Sequence, residues 1–427
     1  MRAGGRDSFA GRVGRPQLLR RLGPGLITGA ADDDPSGIAT YSQAGAAFGL
    51  NLLWTLLLTY PLMTAVQSIC ARIGRVTGKG LASNLAAVFP KWLVLGLVGL
   101  LFLANTINIG ADLAAMGAAA ELLAGRGGEL FAVAFAVLSL GLQVFVPYHR
   151  YVRLLKWMTL ALFAYVGVAF TVWIDWGEVA LRTVLPHLAG SQAIVTVVAV
   201  FGTTISPYLF FWESSEEVEE QAGDPSAGAL VDHPEQAPEQ LRRILWDNVL
   251  GMGVSNLIAF FIMLTAAVAL HAHGVTDVQT TAQAAAALKP AAGPFASLLF
   301  SLGVVGTGLL AIPVLAGSAA YAVGELRGWN SGLESKPAEA VGFYSVIAAA
   351  VLLGLVFTWS GVDPIKALFW SAVVNGVISV PIMAAMMVVA GRRAQMGPFV
   401  ATRAQTVLGW IATAVMAAAV AAMAWAL

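Results

Sequence analysis

Long apolar segments alternate with short polar connections along almost the whole chain. A helix needs about 20 mostly apolar residues to cross a bilayer, and eleven stretches fit: 22–47, 50–73, 92–123, 129–147, 151–174, 191–219, 244–270, 292–324, 338–359, 364–390 and 402–426. The longest connection, 220–243, is polar and rich in Pro, Gly and Ala, which favours a flexible loop. The pattern predicts an all-α polytopic membrane protein with a cytoplasmic tail at 1–21 and a single transmembrane domain at 22–427.

The composition supports this fold class and narrows the function. Hydrophobic residues make up 58% of the 427 residues and charged residues only 11%, whereas soluble domains carry about 25% charged residues. The formal net charge is zero, so no global field favours nucleic acid as a partner. The single cysteine, Cys70, excludes an internal disulfide and a cysteine-based zinc cluster. The expected environment is the lipid bilayer, and nothing calls for an obligate protein partner.

The distribution of basic residues predicts an orientation. With the N-terminus in the cytoplasm, only Arg126, Arg182, Lys289 and Lys366 of the 24 Lys and Arg residues lie outside, and the remaining 20 lie inside. Basic residues are concentrated on the cytoplasmic side of membrane proteins. This asymmetry predicts a plasma-membrane protein with eleven spans, a cytoplasmic N-terminus and an external C-terminus.

Two predicted spans are interrupted by proline at their middle. The first contains ADDDPSG with Pro35, and the sixth contains FGTTISPYLFFW with Pro207. Proline lacks the backbone donor and clashes with the preceding turn, so each helix is expected to break there. The breaks are five spans apart and therefore antiparallel, as in transporters built from inverted repeats. The sequence thus predicts a first repeat at 22–174, a second at 191–390 and an extra helix at 402–426.

Asp32, Asp33 and Asp34 stand directly before the first of these prolines. A carboxylate at bilayer depth is costly and usually functional, and a broken helix exposes carbonyl oxygens at the negative end of its first half. Such oxygens together favour a hard divalent cation such as Mg2+, Ca2+ or Mn2+. The alternative is that one or two of the aspartates cap the second half-helix or sit in a hydrated vestibule, since three adjacent residues cannot all face one ion.

These motifs resemble the NRAMP family of divalent-metal transporters. GPGLITGAADDDPSG resembles the family's G-P-G…A-x-x-D-P-G-N, ISPY resembles its M-P-H, and YSQAGAAFGLNLLW, ARIGRVTGKGLA and ADLAAMG are also similar. The resemblance runs from about residue 22 to the last span and implies a LeuT-like fold of ten core helices plus one. It also implies a metal site formed by Asp34, Ser206 and the backbone carbonyls of Ala31 and Thr203.

Several positions depart from the family pattern. The family's asparagine falls on Gly37, its methionine on Ser206, its two histidines on Tyr208 and Glu213, and the glutamate of D-L-A-E on Ala115, while the aspartate of that motif is kept as Asp112. This pattern resembles the NRAMP-related magnesium transporters more than the manganese and iron members. The ligand chemistry agrees, since loss of the thioether leaves oxygen ligands and Mg2+ keeps several waters. We expect import of Mg2+, with Mn2+ also accepted, as a substrate rather than a cofactor. Proton coupling should be weak or absent because the histidines and the glutamate are missing.

Two alternatives stay open. One is a proton-coupled Mn2+/Fe2+ transporter, since Asp112 is kept. The other is an ion-coupled carrier of an organic solute such as an amino acid, although three aspartates would repel a substrate carboxylate. An enzyme is not expected, because the sequence has no H-E-x-x-H motif and no histidine within a predicted span to act as a base for Ser206.

Further polar residues lie within the predicted spans. Asn105, Asn108 and Asp112 share one helical face and either line an ion or proton route or form a seam between helices. Candidates for direct or water-mediated metal contacts are Asp33, Gly37, Tyr208 and Asn375, with interhelical packing as the alternative for Asn375. Glu213 is a further candidate for the ion route and begins ESSEEVEE at 213–220, a run that either draws cations to the inner mouth or forms a solvated face.

Overall fold

The computed structural model describes residues 29, 32–146, 155, 157–188, 190–333 and 335–426, and every regular element in these ranges is a helix. The α-helices are α1 Pro35–Phe48, α2 Trp54–Thr77, α3 Leu81–Ala86, α4 Lys91–Ala124, α5 Gly128–Phe145, α6 Phe163–Val168, α7 Trp176–Val184, α8 Gly190–Thr204, α9 Pro207–Gly223, α10 Ala237–Ala269, α11 Thr281–Ala286, α12 Lys289–Ala292, α13 Ala296–Arg327, α14 Val341–Phe357, α15 Pro364–Ala390, α16 Arg393–Met396 and α17 Arg403–Ala426. The all-α fold class predicted from the apolar pattern is confirmed.

Eight helical segments in the described part of the chain are long and apolar enough to cross a membrane. They are Trp54–Thr77, Lys91–Ala124, Gly128–Phe145, Gly190–Gly223, Pro234–His273, Lys289–Arg327, Pro364–Ala390 and Arg403–Ala426. They correspond to the second to fourth, sixth to eighth, tenth and eleventh predicted spans. The ninth corresponds to α14, which has 17 residues, and the first and fifth fall partly outside the described residues. The count of eleven spans and the orientation therefore stay predictions.

Both interrupted spans resume their helix at the proline itself. Pro35 and Pro207 occupy the first turn of α1 and α9, where a missing N–H costs little and the fixed φ suits a helix. The preceding residues, Asp34 and Ser206, have extended backbone with ψ of 169° and 135°, as expected before proline. Because α8 ends at Thr204, the sixth predicted span is two half-helices joined by a short extended link.

The second break is held against α15 by the close approach of two helix backbones. A side chain at Gly202 would collide with the Ala372 carbonyl and the Gly376 backbone of α15, so this contact requires glycine. α15 also packs on α1 and α4. The same helix therefore fixes the position of the second break relative to the first.

The connection after α9 is shorter and better anchored than its composition indicates. α9 continues to Gly223 and α10 begins at Ala237. Between them, the N–H groups of Leu230 and Val231 donate to the carbonyls of Arg75 and Val76 at 3.2 Å, and the Leu230 side chain is buried. Pairing with the end of α2 and burial of an apolar side chain thus outweigh the polar, proline-rich composition.

Ion pairs join the end of α9 to α10. Arg243 contacts Glu217 at 2.6 Å, Glu220 at 3.1 Å and Asp247 at 3.2 Å. The Glu217 side chain is only 1% exposed, so it depends on Arg243 for compensation of its charge.

Two further glutamates of the segment 213–220 accept hydrogen bonds from uncharged donors. Asn248 donates to Glu213 at 3.1 Å, and the N–H of Leu333 donates to Glu219 at 2.8 Å. Together with the ion pairs, these bonds tie α9 to α10 and to the segment before α14. The solvated-face hypothesis for ESSEEVEE is therefore wrong for most of the run, because its glutamates pack against other elements.

Gly202→Ala should lower the melting temperature of the purified protein in detergent. The added methyl meets backbone atoms that cannot rotate away, and overpacking of this kind costs about 1–3 kcal/mol. Gly96→Ala is the control, since a β-carbon at Gly96 has open space around it. Equal melting temperatures for the two variants would contradict the close packing of α8 on α15.

Arg243→Ala should destabilise the protein by about 3–5 kcal/mol, because it leaves Glu217 buried without a compensating charge. Unfolding measured by heating or denaturant in detergent would show the loss. Arg242→Ala is the control, because the neighbouring Arg242 is exposed. If Arg243→Ala were no less stable than Arg242→Ala, the proposed dependence of Glu217 on Arg243 would be wrong.

Candidate metal-ion site

The two breaks lie side by side within the helix bundle. Ser36 Oγ is 3.3 Å from Thr203 Oγ1, and the hydroxyl oxygen of Tyr41 is 3.0 Å from Thr204 Oγ1. All four side chains are buried. The first turns of α1 thus face the last turn of α8, and polar groups from both breaks share one interior region.

Asp34 caps α1 and also turns one oxygen toward α4. Its Oδ1 accepts from Ser36 Oγ at 2.6 Å and from the Gly37 N–H at 2.8 Å, while its Oδ2 accepts from Asn108 Nδ2 at 3.1 Å. A carboxylate offers about four lone-pair positions, so one position on Oδ2 is left for a cation. The capping alternative and the metal hypothesis therefore use different oxygens of the same side chain.

At the second break, the Ser206 hydroxyl turns back toward α8. It lies 2.8 Å from the Gly202 carbonyl oxygen and 2.9 Å from the Thr203 carbonyl oxygen. A hydroxyl donates one hydrogen, so these three oxygens retain unused lone pairs. Ser206 and the Thr203 carbonyl, both predicted ligands, thus lie in one cluster of oxygen atoms. The predicted ligand carbonyl of Ala31 lies outside the described residues.

Asn108 connects the first break to two other helices. Its Nδ2 is 3.1 Å from both Asp34 Oδ2 and Asp112 Oδ2, and its Oδ1 accepts from Asn375 Nδ2 at 3.0 Å. Asn108, Asp112 and Asn375 are fully buried. The structure therefore brings these three predicted residues to Asp34, with Asn108 as the direct contact.

The other two aspartates face α10. Ser255 Oγ is 2.8 Å from Asp32 Oδ2 and 3.0 Å from Asp33 Oδ1. Within the described ranges, no group of three or more His, Cys, Asp or Glu side chains is placed to hold a metal ion. The aspartate triplet is thus not a three-carboxylate cage, and Asp32 and Asp33 share the single hydroxyl donor of Ser255 on α10.

Gly37 sits where the family pattern has an asparagine, and the space for a side chain there is narrow. A β-carbon on Gly37 would lie 3.3 Å from the Tyr41 ring and 3.4 Å from Thr203 Oγ1. Gly37 contributes its N–H to Asp34 instead. Tyr208 lies in the first turn of α9 and is fully buried, which keeps its phenol within one turn of Ser206.

Asn105 and Glu213 make contacts that join helices. Asn105 Nδ2 donates to the Leu315 carbonyl at 2.7 Å and to Ser318 Oγ at 2.8 Å, so Asn105 belongs to a seam between α4 and α13. Glu213 is fully buried and bound to Asn248. Of the three polar residues on one face of α4, only Asn108 and Asp112 connect with the first break.

Gln67 is a buried polar residue that lies outside the sequence motifs. It is fully buried, and neither of its side-chain polar atoms has a hydrogen-bond partner among the described residues. It lies in α2, and Gly74 of the same helix packs against the Ser214 backbone of α9. An amide within an apolar span was the available signal.

A cavity of about 660 Å³ approaches the breaks from one end of the bundle. It lies between the end of α1, the starts of α8 and α15, and the loop at 276–278. Gln43 and Thr196 are in its wall, each about 10 Å along its helix from Ser36 or Thr203. An ion in the cavity would therefore be about two helical turns from both breaks.

Comparison with known proteins places these features in a family. The family model described as "Nramp: Natural resistance-associated macrophage protein-like" matches residues 25–426. The chain is 28% identical to the divalent metal cation transporter MntH of Acidiphilium cryptum, with 96% of this chain and 91% of that protein covered. It is 26% identical to the MntH of Klebsiella pneumoniae, with 96% and 95% covered.

Solved structures share the fold. A variant of the Eremococcus coleocola manganese transporter has a TM-score of 0.74 at 17% identity, with 97% of this chain and 87% of that chain covered. Mhp1, a nucleobase-cation-symport-1 family transporter, has a TM-score of 0.55 at 14% identity, with 95% and 92% covered. These likenesses confirm the predicted transporter fold. Because the family model matches almost the whole sequence, the chain belongs to the Nramp family.

Proposed function

We propose that this protein imports a divalent metal cation through the region between its two helix breaks, and that Mg2+ is the preferred ion with Mn2+ also accepted. The observation that carries this proposal is the free lone-pair position on Asp34 Oδ2. It belongs to a break whose Ser36 Oγ lies 3.3 Å from Thr203 Oγ1 of the other break. Asp34 supplies the negative charge. Ser206, the Thr203 carbonyl and the Ala31 carbonyl supply neutral oxygens, directly or through water.

Membership in the Nramp family supports transport of a divalent metal. Nramp members are transporters rather than enzymes, and the metal is their substrate rather than a resident cofactor. The two curated relatives are named divalent metal cation transporters, which supports a divalent metal as substrate here. One of the similar solved structures is a variant of a manganese transporter, which favours acceptance of Mn2+.

The preference for Mg2+ rests on the donor chemistry at the breaks. Carboxylate, hydroxyl and carbonyl oxygens suit a hard ion, whereas a thioether would favour softer metals. Serine at position 206 offers only oxygen. Mg2+ also gives up its waters reluctantly, and the small residue Ser206 imposes less bulk on a partly hydrated ion than methionine would.

Weak proton coupling is the second part of the proposal. The family's histidines are replaced by Tyr208 and Glu213, and Glu213 is bound to Asn248 within the packing of α9 on α10. Asp112 is the acid kept from the family's D-L-A-E motif, and it is joined to Asp34 through Asn108. A proton-coupled Mn2+/Fe2+ transporter is the alternative that this link to Asp112 favours.

In an alternating-access mechanism, the cavity and the ion pairs of Arg243 lie on opposite sides of the metal site. With the N-terminus in the cytoplasm, the 660 Å³ cavity faces outward, and the contacts of Arg243 with Glu217 and Asp247 close the inner side. Rocking of one helix group against the other would open the inner side and close the cavity.

An organic-solute carrier on the same fold is not favoured. Mhp1 shows that related architectures exist in transporters of other substrates. In this chain, Asp32, Asp33, Asp34 and Asp112 are all buried around the first break, and they would repel the carboxylate of an amino acid.

Asp34→Asn should reduce Mg2+ and Mn2+ uptake into proteoliposomes by more than about 100-fold. Its new NH2 group would face Asn108 Nδ2, so some loss of melting temperature is expected as well. Asparagine caps a helix as well as aspartate does, but it lacks the charge that an oxygen-ligated dication requires. Asp363→Asn is the matched control, because Asp363 caps α15 before Pro364 in the same way. Uptake by Asp34→Asn at the parent rate would refute the assignment of Asp34.

The ion preference and coupling are tested together in liposomes that contain a pH-sensitive dye. We expect Mg2+ influx at least equal to Mn2+ influx, with no acidification that follows metal entry. Mn2+ influx with acidification and without Mg2+ influx would instead support the proton-coupled alternative.

A further inference from the structure

The carboxylates at the first break dictate the orientation of two buried amides. A carboxylate oxygen accepts hydrogen bonds, so the side of Asn108 that faces both Asp34 Oδ2 and Asp112 Oδ2 must be its NH2 group. The Asn108 oxygen then faces Asn375 and requires a donor there. Asn375 must therefore present its own NH2 group to Asn108, at 3.0 Å.

With both amides oriented in this way, the acceptor at the far end of the hydrogen-bond chain has no donor. This acceptor is Asn375 Oδ1, which is buried and has no hydrogen-bond partner among the described residues. The next residue, Gly376, packs against Gly202 at the second break. The hydrogen-bond chain therefore runs from the carboxylate of the first break, across α4, to the backbone contact that positions the second break.

We propose that Asn108, held in one orientation by Asn375, is a positioning residue that sets the affinity of the Asp34 site for its divalent cation. The inference rests on the proposed function and names what controls that site. Asn108 directs the free lone pair of Asp34 Oδ2 by occupying its other lone pair, and it separates the like charges of Asp34 and Asp112. Asn375 keeps the Asn108 oxygen from turning toward the carboxylates. A polar group that orients a metal ligand affects affinity although it does not touch the ion.

Asn108→Ala should raise the Kd for Mn2+ alone, measured calorimetrically on the purified protein, by about 10- to 100-fold. In proteoliposomes the KM should rise by a similar factor, with a much smaller change in kcat. Asn375→Ala keeps both contacts of Asn108 with the acids but releases its oxygen, so a smaller rise of about twofold to tenfold is expected.

Asn105→Ala is the matched control. It also removes a fully buried amide from α4, but that amide binds Leu315 and Ser318 of α13. It should lower the melting temperature and leave the Kd and KM within about twofold of the parent values, since a change of that size is well below one hydrogen bond to a charged group. The double variant Asn108→Ala/Asn375→Ala should be no worse than Asn108→Ala alone, because residues in one hydrogen-bond chain are not additive.

The outcomes separate this inference from the proposed function. If the parent protein binds and transports Mn2+ while Asn108→Ala keeps the parent Kd and KM, the inference is wrong and the proposed function stands. The inference is also wrong if Asn105→Ala weakens binding as much as Asn108→Ala, since a general loss of packing would then explain both. If Asn108→Ala does not fold, a parent-like Kd and KM in Asn375→Ala would overturn it. If the parent protein binds neither Mn2+ nor Mg2+, both proposals fail.

Discussion

A backbone polar group within a bilayer must find a partner, and the structure depends on how two interrupted helices meet this requirement. Each interruption exposes groups that a continuous helix would pair internally. At the first break the Asp34 carboxylate takes the N–H of Gly37, and at the second the Ser206 hydroxyl meets the carbonyls of Gly202 and Thr203. The breaks lie against each other, so these groups form one polar interior with oxygen atoms that retain unused lone pairs.

The acids at the breaks and the acids near the end of α9 are compensated by different kinds of group. At the breaks, the donors to Asp34 and Asp112 are neutral amide, hydroxyl and backbone groups. Near the end of α9, Glu217 is instead paired with the guanidinium of Arg243. A buried carboxylate with only neutral donors favours a cation as its missing partner, whereas a buried ion pair serves packing. This contrast explains why acids of similar burial have different proposed roles.

The sequence predicts the architecture well because its signals are local. Apolar length identifies the long helices, and Pro35 and Pro207 locate both breaks since proline cannot occupy a helix interior without disruption. The side-chain partners depend on contacts between distant segments, which periodicity does not encode. Asn105 and Asn108 share a helical face, yet one binds α13 and the other binds Asp34. The ring of Tyr41 lies beside Gly37, and nothing in the neighbouring sequence predicts that contact.

The proposed mechanism requires a dication between the breaks, on the free lone pair of Asp34 Oδ2. Anomalous X-ray scattering from crystals of the protein grown with Mn2+ would locate the ion. We expect an anomalous peak within about 2.5 Å of Asp34 Oδ2, adjacent to Ser206 and the Thr203 carbonyl. A peak elsewhere, such as beside Asp32 and Asp33 at Ser255 or in the cavity at Asp277, with none at Asp34, would contradict the proposed mechanism.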